Sequence, residues 1–525
     1  MSHGGLDIFD ERGASYVMVM FAIVVLGTIS FSFLTIAALE TEAAVNYRNS
    51  AGARFAARAG LNKAVWRIMN ETNFVDNFDG VSISDTFQGM PIQYMVEKAA
   101  NNESVVATST GTAENATSTL RHLMIPPIEQ TVEDAWLVAY GEGTELNPRY
   151  RTWQGAGWSA EANASQVNNE ISWSVLRRCP GREEKALGTL EQGSVLNVQF
   201  WNGAGWGSAT QMGSDSSATT RSFDIAYESV SGDALIAYGV NSDNTIHYRV
   251  WNGTSWSSES ALNLSLGGDP KWVVMASDPN SDEIVLAVLD SQNDIGVSVW
   301  NGGAFANTTI IEREVTGNDT LPMDVAYEST SGRAMVAWTE NNQKAHYAIW
   351  DGAAWLGEAV TSNMGQKGPW LRLASDPSSN RILSGLIDKD NDINVMLWDG
   401  TSWGAPLEVE TNAETLTERC FDVAFEGGGG QAIAAWSENN AHAVEYRIWT
   451  SGVWSAEQTG SNLGNDIKIV QLKSSPLSDV IFMTTKTDDN DLQITYWDGA
   501  VWDSPLEIET NSSGSMPDES FMASF

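Results

Sequence analysis

The chain has 525 residues, 42% of them hydrophobic, 18% charged and 10% aromatic, which is too long for one ordinary domain and apolar enough for a real core. Acidic residues number 67 against 29 basic ones, a formal charge of −38. Such a field repels phosphate backbones and excludes nucleic acid as a partner. It suits an exposed surface kept soluble in salt water, or a source whose proteins are acidic in general.

From Ala14 to Leu39 no side chain is charged, a run long enough to cross a bilayer as a helix of about 20 residues. It is too long for the apolar centre of a cleaved signal peptide, and a short polar leader, residues 1–13, precedes it. Farther on, Ala57, Leu61, Ala64, Val65 and Ile68 share one helical stripe, so the helix reads as continuing from 14 to about 70. A plain membrane tether fits the same pattern.

The runs Arg12 to Met18, Arg48-Asn49-Ser50 and Ala56-Ala57-Arg58-Ala59-Gly60-Leu61 resemble the amino-terminal region of PilX-type minor pilins and related pseudopilins, a likeness covering about residues 10–125. The resemblance implies cleavage between Gly13 and Ala14 by a prepilin peptidase, residence in the inner membrane, and packing of the helix against other pilin or pseudopilin subunits in a surface filament. Met18 stands where major pilins place a glutamate, and Arg58 replaces the usual acid of the alanine-rich motif.

Residues 71–125 read as a small β module, with strands at Ile92 to Val96, Val105 to Thr110 and Thr119 to Ile125 parted by turns at Asn101-Asn102 and Glu114-Asn115. Pro126-Pro127 opens a stiff linker over 126–133.

The remainder, 134–525, is periodic. Trp153, Trp201, Trp251, Trp300, Trp350, Trp398, Trp449 and Trp497 recur every 48 to 51 residues, one propeller blade per period. Most open a hairpin such as Trp251-Asn252-Gly253-Thr254-Ser255-Trp256, whose glycine supplies positive φ. Odd units share the pattern of Phe421-Asp422-Val423-Ala424-Phe425, and even units that of Ala374-Ser375-Asp376-Pro377. The first unit lacks an inner strand, and Ser520 to Phe525 resembles Ser222 to Tyr227. The expected fold is therefore mainly β, an eight-bladed propeller of four-stranded blades closed by the carboxyl-terminal strand. Cys179 and Cys420 fall in distant units, so no internal disulfide is expected.

The usual enzyme signatures are missing: no His-Glu-x-x-His, no Gly-x-Ser-x-Gly, no phosphate-binding glycine loop. His247 and His346 lie in different units and are not expected to share a metal. Asp388, Asp390 and Asp392 alternate like the opening of a calcium loop, but Ile393 stands where such loops place glycine, and turn formation accounts for them equally. Candidate ligand-binding residues are Trp272, Trp370, Asn341, Asn342, Asn439 and Asn440, aromatic faces and amides of the kind that hold sugars. The sequence thus points to a non-enzymatic binding or adhesion module for a glycan or protein, displayed outside the inner membrane and then on the cell surface. A structural subunit of a pilus or type II secretion-like machine, and a propeller glycoside hydrolase or lyase, are the alternatives.

Overall fold

The computed structural model describes residues 49, 52–64, 67, 78–87, 89–98, 105–114, 116–124, 136–153, 157–313, 315, 317–428, 430–513 and 519–525. The leader, the apolar run 14–39, the Gly13/Ala14 junction, Val65, Ile68 and the linker 126–133 lie outside them. Among the described residues no helix is long and apolar enough to cross a membrane. The chain divides into two units, Met1–Pro127 and Ile128–Phe525.

In the first unit, residues 52–64 are helical and four antiparallel strands, β1 (Ser82–Phe87), β2 (Met90–Lys98), β3 (Val105–Ala113) and β4 (Ala116–Met124), form a sheet in chain order. Alternation along β2 turns Ile92, Tyr94 and Val96 inward, where Tyr94 and Val96 meet Leu61 and Ala64 of the helical stripe. The approach is close because Gly111 has no side chain: a Cβ there would collide with the backbone of Ala53 and Ala57. Strand β1 is absent from the sequence reading, because Ser-Ile-Ser-Asp-Thr-Phe carries only two large apolar residues and exposes every second one.

Among its described residues the second unit contains eight sheets, one per tryptophan period. In order, their inner strands are Phe521–Ser524, Ile171–Arg178, Phe223–Tyr227, Pro270–Ser277, Met323–Tyr327, Trp370–Ser375, Phe421–Phe425 and Ile467–Ser474. Each packs against the inner strand of the next, and the eighth against the first. The first sheet takes its inner strand from the far end of the chain, pairing Phe521 with Tyr140 and Ser524 with Leu137. That pairing is the expected closure: it covers the edge that Leu137–Tyr140 would otherwise leave open, and Phe521–Ser524 becomes the inner edge of the sheet.

Three devices join the sheets. Asp224, Asp324 and Asp422 each accept the amide of the residue that follows and, with the other oxygen, an amide of the next inner strand: Met275 at 3.0 Å, Leu373 at 2.9 Å and Leu472 at 3.0 Å. At this position the first sheet has Met522, whose sulfur takes the Leu176 amide at 3.3 Å. Farther out, the hairpin indoles donate to a glutamate of the preceding sheet, Trp251 to Glu184 (3.2 Å), Trp300 to Glu228 (2.6 Å), Trp350 to Glu283 (2.7 Å), Trp398 to Glu328 (2.7 Å) and Trp497 to Glu426 (2.6 Å). The rings of Trp251, Trp300, Trp398 and Trp497 also pack on an aromatic of that sheet, as Trp398 does on Tyr347 at 5.8 Å, so these repeated tryptophans serve packing between sheets.

The third device is matched volume. A Cβ on Gly188 would lie 2.6 Å from the Phe223 ring, and one on Gly385 2.8 Å from the Phe421 ring. The fourth sheet has Ala287 at the corresponding place, and the facing residue shrinks to Met323. Cys179 and Cys420 are buried and free, as their distant units required.

Candidate functional site

Strand residues of the first sheet and the Trp201 hairpin of the second frame a groove of about 650 Å3, within the range of small-ligand sites. Tyr150, Trp153 and Trp201 give it aromatic walls, and Thr152, Ser159, Glu161 and Glu183 give it polar groups. The ring of Trp201 is steadied edge-on by Tyr150 at 5.4 Å and by Trp206 at 5.7 Å. Glu161 accepts the Tyr140 hydroxyl at 2.8 Å and lies 3.7 Å from the Arg149 guanidinium, with 29% of its side chain exposed. Burial, then the bond to Glu161, push the Tyr140 phenol up, so it stays a donor. Glu183 is 64% exposed on the other wall. Rigid rings beside partly solvated carboxylates can stack on an apolar sugar face and accept hydroxyl protons.

Glu161 belongs to a series. The outer strands of the odd sheets also bring Glu259 to His247, 3.1 Å from Nδ1, Glu358 to His346 at 2.6 Å, and Glu457 to Arg447 at 3.6 Å. Burial alone would lower His247, but Asp243 and Glu259 raise it above the ordinary histidine value. His346 also faces Glu340 at 3.0 Å. Glu340, His346 and Glu358 are the one set among the described residues whose ligand atoms converge closely enough for a metal ion, one nitrogen and two carboxylates suiting a divalent transition metal. The two histidines sit on different sheets with separate partners, as the sequence implied.

The other sequence candidates are dispersed. Trp272 and Trp370 are 1% exposed, stand edge to face 5.9 Å apart at the axis, and donate their indole protons to the Asn318 and Leu416 carbonyls. Asn342 bonds His346 Nε2 at 2.8 Å, and Asn341 is exposed beside it. The Asn440 side chain donates to the Asn439 amide oxygen at 2.8 Å, in a turn where Asn440 has φ of 59°. Asp388 is buried, accepting the Asp390 and Asp392 amides with one oxygen and the Gln366 amide with the other. Asp290 does the same with Gln292, Asp294 and Gly268. These aspartates therefore shape turns, with Asn391 and Asn293 at φ of 65° and 67° as the left-handed residue.

No family profile matches the chain, and no curated protein matches it. Among solved structures, the BP39L lectin from Burkholderia pseudomallei is similar with a TM-score of 0.50 and 13% identity, over 64% of this chain and 99% of that one. A lectin from Aleuria aurantia in complex with Fucα1-6GlcNAc gives 0.37 and 11%, over 65% and 97%. The structure of that lectin described as a six-bladed β-propeller with a novel fucose recognition mode gives 0.35 and 13%, over 57% and 98%. The fold of the second unit is that of a β-propeller.

Proposed function

We propose that this chain is a pilin-like surface protein whose second unit, an eight-bladed propeller, binds carbohydrate in the groove between its first and second blades. The observation that carries this reading is the groove itself, where Tyr150, Trp153 and Trp201 face Glu161 and Glu183. The BP39L structure similar to it is a lectin by its own description, which supports the same class. Binding is favoured over glycoside hydrolysis by the state of the axial acids. Burial would raise Asp422 and Glu519, but the arginines beside them hold both below the usual carboxylate range, so neither serves as the proton donor such hydrolysis requires.

On this reading the apolar run 14–39 holds the chain in the inner membrane until cleavage after Gly13, and the propeller lies outside the cytoplasm, with other pilin subunits as partners of the helix. Glycan-array and calorimetric binding by the full chain test the groove. Trp201→Ala and Glu161→Gln should each weaken the best glycan by about tenfold or more, and unchanged binding in both refutes the site. Co-expression with a prepilin peptidase tests the leader: mass spectrometry should find a new amino terminus at Ala14, and an uncut chain refutes the pilin assignment.

A further inference from the structure

At the axis of the second unit the inner strands gather charge that the groove does not use. Arg177, Arg221, Arg372, Arg419 and Lys473 line a cavity of about 50 Å3, walled also by the indoles of Trp173, Trp272 and Trp370. Four carboxylates face these five cations: Asp224, Asp324, Asp422 and Glu519. They are already engaged. Arg419 grips Glu519 through two nitrogens at 3.0 Å each and reaches Asp422 at 2.8 Å, while Arg372 spans Asp324 at 2.9 Å and Asp422 at 3.1 Å. Arg177 takes Asp224 at 3.0 Å and turns another nitrogen to the Leu176 carbonyl at 3.3 Å and to the sulfur of Met522, a weak acceptor.

What remains is positive. Arg221 has 10% of its side chain exposed, and its nearest carboxylate oxygen, 3.5 Å away on Asp224, is the one already bonded to Arg177 and to the Ile225 amide. Its guanidinium makes no hydrogen bond to any described residue. Lys473 has no hydrogen-bond or ion-pair partner among the described residues and faces Arg177, Arg372 and Arg419, with Asp422 the one nearby acid. Burial, then Arg177 and Arg372, push its ammonium down to about 7. The repeat does not impose either cation: Leu321 fills the place of Arg221 in the fifth sheet, and Ala276 and Ala374 fill that of Lys473 in the fourth and sixth.

Cations at the axis that share their counter-charges with other cations are costly to bury, and the cavity has room for a few waters or one tetrahedral oxyanion. We propose that the axial cavity binds a single compact oxyanion of the phosphate or sulfate kind, held by Arg221 and Lys473 with Arg177 lining the same cavity. The site is separate from the groove, and its failure would leave the carbohydrate reading untouched.

Thermal unfolding of the full chain in detergent, in sodium phosphate or sodium sulfate against sodium chloride at equal ionic strength, tests it. The melting temperature should rise saturably, by about 2–5 °C at a hundredfold excess over the dissociation constant. Lys473→Ala and Arg221→Leu copy neighbouring repeats, and each should abolish the saturable part while leaving the gradual salting-out rise common to these salts. Lys473→Arg should retain it. Should Arg221→Leu fail to fold, the Lys473 pair decides. A wild-type protein with no saturable rise to tens of millimolar, or a Lys473→Ala variant with the same rise, overturns the proposal.

Discussion

The Asp422 carboxylate of the seventh sheet accepts the Leu472 amide of the eighth at 3.0 Å while standing between Arg372 and Arg419. Burial opposes its charge, but the two arginines and that amide hold it down at about 2. A depressed acid contributes stability above its unfolded value of about 4 and loses it as pH falls toward 2. Asp422→Asn should therefore cost about 3–5 kcal/mol at pH 7, because two arginines at the axis each lose one of their two carboxylates, and the difference from wild type should shrink as pH falls from 4 to 2. Denaturant titrations across that range check it.

Glu228 works in the opposite sense. Burial raises it to about 7 although Ser231 and Trp300 bond it. An acid with a raised value binds more protons folded than unfolded, so it contributes stability below its unfolded value near 4.5 that is lost as pH rises through 7. Glu228→Gln keeps an acceptor for the Trp300 indole and should flatten the fall in melting temperature between pH 4.5 and 7. An identical profile in the variant counts against the assignment.

Gly188 and Phe223 are a matched pair. Gly188→Ala forces a methyl against the Phe223 ring and should cost about 1–3 kcal/mol. Adding Phe223→Met, which copies Ala287 and Met323, should recover most of it. A double-mutant cycle by chemical denaturation reads the coupling, and strict additivity would show that the two sites do not touch.

Removal of residues 520–525 strips the first sheet of its inner strand and exposes Trp136, whose ring lies 4.3 Å from Phe482 and 5.6 Å from Phe525. The melting temperature should fall sharply, and Phe521→Ala alone should cost about 3–5 kcal/mol. An unchanged melt in the truncated chain would refute the closure.

Much of the second unit was readable because tryptophan spacing and Asn-Gly or Asp-Gly turns are local signals. The strand that completes the first sheet was found by the likeness of Ser520 to Phe525 to Ser222 to Tyr227, since a repeat discloses its own gap. The role of the aspartate in that motif was not legible. Its partner amides at Met275, Leu373 and Leu472 lie about 50 residues on, and only the curvature of neighbouring sheets brings them within reach.

The groove was equally hidden. Glu161 and Glu183 are ordinary surface acids in a chain with 67 acidic residues, and nothing local distinguishes the Tyr150 to Trp201 junction from its counterparts. A usable signal was the glutamate that recurs in every odd unit as Glu161, Glu259, Glu358 and Glu457. In the sequence Trp272 and Trp370 read only as aromatic faces of the kind that hold sugars. At 1% exposure, they pack at the axis, Trp272 meeting Trp173 on one side and Trp370 on the other.

The bond between Tyr140 and the Ile508 carbonyl spans 368 residues, and the pairing of Leu137–Tyr140 with Phe521–Ser524 spans more. During synthesis the opening sheet must therefore wait, one edge bare, until almost four hundred later residues have emerged. The most aggregation-prone interval therefore falls between the second sheet and the last strand, so any chaperone that guards the chain is needed there, before the ring can lock.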